Sequence, residues 1–377
     1  MRRLVRVSRH VGIGSGVIDA GRFFVPGPTE VRPEILEAMR RPMIFHRSRE
    51  MEDLMRRVNT RLRPIFGTRR PVHILTASGT GAMELAIRGG TVRRVLSIVH
   101  GDFGERFARM AEACGRSVVR LKAQPGDVVA LDAVHDALRG GDFDTVTATH
   151  SETATGVLAD IAGIANLVRE HSGALLLVDA VSSAGATPFS MDAWGVDAVV
   201  SASQKALALP PGLAFAAVSD QFVDRAKSLK DRGVYLDVIR YEEFAAKSQS
   251  PTTPAISLLF ALDRQLADIE LETLESRYAR HAAMSAACAA WVSHAESAAL
   301  GVSLLVRAAH RSPSVTCIRI DGTNVELLRR MREQGYELGG GQAELAKTTF
   351  RIGHMGDHTV AGLEAMLEVL ERVLRAL

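Results

Sequence analysis

The stretch "VDAVVSASQKALALPPG", residues 196–212, carries a single cation, Lys205. An apolar run, "DAVVSA" (197–202), leads into Ser-Gln, the lysine comes next, and two prolines then break the chain. The run reads as a strand buried on both faces of a parallel sheet. Such a strand delivers the residues after it to the C-terminal edge of the sheet, where ligand crevices of open α/β folds lie. Upstream, "ALLLVD" (174–179) makes the same delivery with Asp179. An acid and an amine brought to one crevice are either a buried ion pair or the two ends of a cofactor site.

Working outward, further apolar runs read as strands: "RVLSIVH" (94–100), "SVVRL" (117–121), "TVTAT" (145–149) and "LAFAAVS" (213–219). Helical patterns lie between them, at "GAMELAIR" (81–88), "ERFARMAEACG" (105–115) and "IAGIANLVREHSG" (161–173). Strand–helix alternation of this kind predicts an α/β layer fold. After Pro254 the pattern changes. The spacing predicts a long helix near 256–295, then strands at "VSLLVR", "SVTCIRI" and "TTFRIGH" with two accompanying helices. In the last helix Val360, Leu363, Leu367, Leu370 and Leu374 share a face. The expected division is an N-terminal extension (1–20), a large domain (21–255), and a linking helix with a smaller α+β domain (256–377).

The bulk numbers fit a soluble protein of two or three domains: 377 residues, 47% hydrophobic and 24% charged. A net charge of +3 without a dense basic run gives no reason to expect a nucleic-acid partner. No stretch matches the roughly 20 apolar residues a bilayer span needs, so no membrane partner is expected. Three scattered cysteines, Cys114, Cys288 and Cys317, form no disulfide framework and no CxxC pair, which points to a reducing, cytoplasmic setting. His354 and His358 flank Asp357, but nothing in the sequence supplies further ligands, so no metal site is expected. The opening "MRRLVRVSRHVGIGSG" has four arginines and no acid, and lacks the apolar centre of a secretory signal. It reads as a targeting segment of another kind or, more plainly, as an extension.

A cofactor with an aldehyde, a ring nitrogen and a phosphate, pyridoxal 5'-phosphate, would use an amine and a carboxylate so arranged. The amine condenses with the aldehyde, and the carboxylate keeps the ring nitrogen protonated. Its phosphate calls for a helix N-terminus. "ILTASGTGAMELAI" (74–87) supplies one, a strand-like run and a turn at Ser78, Gly79 and Thr80 opening a helix. Such turns are common, and this one gains meaning only beside Asp179 and Lys205.

These stretches, with "VPGPTEVRPEILEAM" (25–39), "GDFGERF" (101–107), "THSETATGVLADI" (149–161), "SPTTPAISLL" (250–259) and "FRIGHMGDH" (350–358), resemble fold-type I pyridoxal-phosphate enzymes of the class V aminotransferase family. The likeness is greatest to alanine–glyoxylate and serine–pyruvate or serine–glyoxylate aminotransferases. It implies a large domain with a mostly parallel seven-stranded sheet between helices, and a smaller α+β C-terminal domain. It implies transfer of an amino group from a small amino acid, alanine or serine, to a 2-oxo acid, glyoxylate or pyruvate. It also implies a homodimer with shared active sites.

The resemblance also assigns roles. Lys205 bonds to the cofactor and shuttles the substrate proton, and Asp179 pairs with the ring nitrogen. Val181 packs one ring face and Phe103 the other, where relatives often have tryptophan. Thr153 lies near the cofactor's phenolic oxygen. Ser203 and Gln204 contact the cofactor or its phosphate. Thr252 reaches the phosphate of the neighbouring subunit's cofactor, although Gln249 replaces the aromatic residue often found three positions earlier. Arg351 binds the substrate carboxylate, which suits a planar guanidinium. His46-Arg47-Ser48 matches the family without a catalytic step. The rivals are an aminoethylphosphonate–pyruvate transaminase, a cysteine desulfurase, and a regulatory protein on a dead scaffold.

Overall fold

The computed structural model describes residues 21–170, 173–294 and 300–377, so the reading of residues 1–20 lies outside the described residues. Strands in chain order are β1 (Phe23–Phe24), β2 (Val72–Leu75), β3 (Arg94–Val99), β4 (Ser117–Lys122), β5 (Thr145–Thr149), β6 (Ser151–Glu152), β7 (Val157–Leu158), β8 (Leu175–Asp179), β9 (Ala198–Ala202), β10 (Ala214–Val218), β11 (Val302–Leu304), β12 (Val315–Ile320), β13 (Glu337–Gly340) and β14 (Thr349–Gly353).

Seven of these form one sheet in the order β2-β10-β9-β8-β5-β3-β4. It is parallel except for β10, which runs antiparallel to both neighbours. Alternate residues serve opposite faces, as a pleated strand requires. Leu176 and Val178 join the apolar cluster of the helices Arg49–Phe66, Ile161–Glu170 and Ile256–Glu272, while Leu175 and Leu177 join the helix Gly79–Gly90 and Phe222. The continuous apolar runs in the sequence result from this burial on both sides.

The second sheet has the order β1-β13-β14-β12-β11. Helices Leu274–Ser293, Val325–Glu333 and Val360–Arg375 cover it, with Leu363, Leu367, Leu370 and Leu374 of the last helix in its core. β1 comes from the start of the chain, Phe23 and Phe24 aligning with Glu337 and Leu338. The described chain therefore begins in the second sheet before it builds the first.

The single long helix expected near 256–295 is two helices, Ile256–Glu272 and Leu274–Ser293. Thr273 breaks them with a positive φ of 67°, and its side chain accepts the Ser276 N–H. An N-cap residue leaves helical geometry to satisfy an orphan donor of the next helix, and threonine is suited to that exchange. The break lets Arg277, 1% exposed, reach the lysine loop. Its guanidinium donates to Ala206 O at 2.6 Å, to Glu272 at 2.6 Å and to Asp357 at 3.1 Å. Among the described residues no helix is long and apolar enough to cross a membrane.

Candidate active site

The tips of β8 and β9 set the site. Asp179 ends β8, is buried, and accepts the Val181 N–H at 2.8 Å. Burial pushes its carboxyl up to about 6, against the pull of that N–H and of Lys205 and Arg106. Lys205 lies three residues beyond the end of β9 and is also buried. Its ammonium donates to the Pro26 carbonyl, and its own carbonyl accepts the Thr29 hydroxyl at 3.0 Å. Burial, and then the nearby Arg351 charge, lower the amine to about 8, although Asp179 opposes them. A neutral amine is thus accessible near neutral pH, which nucleophilic and base chemistry both need.

The other residues expected at the site surround this pair. Phe103 lies in the first turn of the helix Asp102–Ala113, its ring centroid 5.8 Å from Lys205 Nζ. Val181 stands two residues past Asp179, and a β-carbon added at Gly79 would meet Val181 Cγ2 at 3.0 Å and Ala202 Cβ at 3.2 Å. The helix Gly79–Gly90 therefore starts hard against the floor of the site. Its N-cap Ser78 makes no side-chain cap bond, and Thr80 is exposed. Thr153 and Ser182 join hydroxyl to hydroxyl. Arg351, on β14, crosses from the second sheet: Nη1 donates to Thr153 O at 3.1 Å and Nε to Gly340 O at 2.8 Å. It has no carboxylate in ion-pair contact among the described residues, and burial lowers its pKa.

Other residues sit differently. The Ser203 hydroxyl is held within its own loop, donating to Pro210 O at 2.8 Å and accepting from Leu213 N at 3.2 Å. Gln204 Oε1 is buried without a partner among the described residues. Thr252 is half-buried in the loop before the helix Ile256–Glu272, and no hydrogen bond joins it to the lysine cluster of its own chain among the described residues. Arg47 ties that loop down through Gln249 Oε1 at 3.1 Å and Ser250 O at 2.7 Å, while Ser48 caps the helix Arg49–Phe66. His354 bonds to Thr316 and His358 to Phe23 O, and Asp357 faces Arg32 and Arg277.

A profile of the family described as aminotransferase class-V matches residues 26–345. An uncharacterized aminotransferase of Methanocaldococcus jannaschii is 36% identical over 94% of this chain and 91% of its own length. A protein of Synechococcus named soluble hydrogenase, small subunit, is 36% identical over 95% of this chain and 94% of its own. Among solved structures, an alanine–glyoxylate aminotransferase of Nostoc superposes with a TM-score of 0.87 at 31% identity, covering 94% of this chain and 95% of that one.

The chain belongs to the class-V aminotransferase family.

It is a pyridoxal-phosphate-dependent transferase of fold type I acting on small amino and keto acids, in agreement with the expectation from its motifs. The residues of this class-V aminotransferase fit that cofactor. A buried amine whose one hydrogen bond among the described residues is to a carbonyl stands near a helix N-terminus without a side-chain cap, as a cofactor with an aldehyde and a phosphate requires. Arg351 lies beyond the end of the profile match, on β14 of the second sheet.

Three contributors to the site are not marked out as such by residue type, although Glu152 and Arg106 lie within the stretches 149–161 and 101–107 that carry the resemblance. Glu152 is wholly buried and accepts N–H groups of Phe103 and Gly104 at 3.1 Å and of Ala154 at 3.0 Å. Burial still pushes it up to about 7. Ser182 pairs with Thr153, and Arg106, exposed, places its charge near both Asp179 and Lys205. Glu152 belongs to the motif "HSETATG", but only the fold brings the first turn of a helix over it.

Proposed function

We propose that the enzyme moves an amino group from alanine or serine to glyoxylate or pyruvate, with Lys205 as the proton-transfer base. The observation that carries this reading is the buried Lys205–Asp179 pair facing an Arg351 guanidinium that lacks a carboxylate partner among the described residues. When bound, the cofactor supplies an aldehyde that condenses with amines and a ring that stores the electron pair left at the substrate Cα. Lys205 takes the Cα proton as a neutral amine and returns it on the far side of the transfer. Asp179 would keep the ring nitrogen protonated. Phe103 and Val181 would shield the two ring faces from water, and Thr153 would donate to the phenolic oxygen. Ser78, Gly79 and Thr80, with the side-chain amide N–H of Gln204, would hold the phosphate. Arg351 grips the substrate carboxylate by two parallel hydrogen bonds, which fixes the Cα–H bond in place. Ser203 serves by shaping the loop rather than by touching the phosphate.

Small donors and the glyoxylate acceptor are supported by the resemblance in the site motifs and by the name of the Nostoc relative. We propose further that two copies share their sites, Thr252 serving the partner's phosphate. Met43 and Phe45, 68% and 64% exposed on the loop that leads into Arg47, are apolar groups a subunit contact would cover. Residues 21–255 and 256–377 would act as large and small domains, with the strand Phe23–Phe24 lent to the small one. The free cysteines fit a cytoplasmic setting.

The rivals fare less well. A desulfurase needs a reactive thiolate, whereas burial pushes Cys288 up to about 12 and Cys317 up to about 11 and also raises Cys114. The reading is tested by half-reactions. Purified holoenzyme given L-alanine or L-serine should lose its visible absorption and release the matching keto acid, and glyoxylate should restore the colour. A response to 2-aminoethylphosphonate but to neither amino acid would replace this reading with the phosphonate one. No response to any amine would favour the regulatory scaffold.

A further inference from the structure

We propose that Ser182 is a positioning residue: its hydroxyl donates to Thr153 Oγ1 and so aims the Thr153 proton at the phenolic oxygen of the cofactor. The inference rests on the reading of Thr153 given above. The two hydroxyl oxygens lie 2.5 Å apart, and Thr153 and Ser182 are 3% and 2% exposed. Neither hydroxyl makes another hydrogen bond among the described residues. Two hydroxyls joined by one bond leave one proton unassigned.

Either hydroxyl can be the donor within the chain, so the choice falls to the group that Thr153 would face. If Thr153 donated, the spare proton would sit on Ser182, with no further acceptor in contact. If Ser182 donates, the spare proton belongs to Thr153, beside the Arg351 guanidinium that donates to the Thr153 main-chain oxygen. An anionic ring oxygen selects the second arrangement, and a hydroxyl that accepts one bond donates its own proton more strongly. The support for Ser182 is built in. Asp179 Oδ1 fixes the Val181 N–H, so one carboxylate sets the turn that carries both the ring-packing valine and the serine.

A donor at the ring oxygen stabilises its anion, so the proton leaves at lower pH. The test is a pH titration of the bound cofactor's visible absorption in the holoenzyme, for wild type, Ser182→Ala, Thr153→Val and the double variant. Ser182→Ala should raise the midpoint by roughly half a pH unit, the size expected for weakening one neutral hydrogen bond. Thr153→Val should raise it further, and the double variant should match Thr153→Val alone. Ser182→Cys keeps the volume with a poorer donor and should move the midpoint the same way. An unmoved Ser182→Ala beside a shifted Thr153→Val overturns the relay and leaves the Thr153 reading standing. Unmoved midpoints in both overturn that reading and the relay with it. Additive shifts in the double variant also overturn the relay, because Ser182 would then act independently of Thr153.

Discussion

The Lys205 side chain passes directly over Gly27: a β-carbon there would lie 2.6 Å from Lys205 Cδ and 2.7 Å from Nζ. Gly27 also has a φ of 105°, where side chains are strained. Gly27→Ala should therefore displace the lysine while leaving both sheets intact. The expected result is a fall of roughly tenfold or more in kcat, by the sensitivity of transfer to small misplacements, with a circular dichroism spectrum like the wild type. An unchanged kcat would mean that the lysine does not need this close approach to Gly27.

The lowered amine sets a pH dependence. Lys205 titrates at about 8, and only the neutral amine attacks an aldehyde. The rate of pyridoxal-phosphate uptake by the apoprotein should rise through pH 8 and level off above it. Ordinary lysines would place that rise about two units higher. Lys205→Ala should abolish both covalent uptake and amino transfer without unfolding the chain. Turnover at wild-type rate in that variant would remove Lys205 from the mechanism.

Asp179→Asn keeps the acceptor for the Val181 N–H and removes the charge. Loss of the group that secures the ring proton should lower kcat by roughly 10²-fold to 10⁴-fold, the range for a positioned proton partner, with little change in KM. A variant with wild-type kcat would show that the carboxylate is structural.

Arg351→Gln removes the charge but keeps a hydrogen-bonding group. Charge-assisted bonds contribute about 1.5–3 kcal/mol each, so KM for both the amino acid and the keto acid should rise by roughly 10²-fold. A rise for one substrate only would argue against a shared carboxylate clamp.

Glu152 gives a prediction about stability. Its folded value of about 7 lies above the ordinary 4.5. A carboxyl raised by folding contributes stability that is complete below the unfolded value and is lost as pH rises toward the folded one. Glu152→Gln imitates the protonated side chain at every pH. Compared with that variant, the wild-type apoprotein should lose about 3 kcal/mol of stability between pH 4 and 7. Parallel denaturant melts across that range check it. A difference that stays flat with pH would mean the three N–H donors hold the anion as well as water does.

The main sheet is legible in the sequence because all its strands but the edge strand β4 are buried on both faces, which leaves apolar runs such as "ALLLVD". The two residues of β1 carry no such signature. Phe23–Phe24 is too short to show a period, and its partner strand, at Glu337 and Leu338, lies far along the chain. The helix break at Thr273 is hidden because the residues on both sides are good helix formers, and only the cap geometry separates them. Asp179, Lys205 and Arg351 stand out as charges at the ends of, or within, apolar runs. Glu152 and Ser182 do not, since a lone acid or serine in a polar turn usually just satisfies local backbone.

The segment that opens the described chain also works as a mechanical strap. Phe23–Phe24 is stitched to the sheet that carries Arg351, and two residues later the Pro26 carbonyl holds the Lys205 ammonium. Any tilt of that sheet would therefore be felt, a few peptide units away, at the carbonyl on which the lysine amine rests.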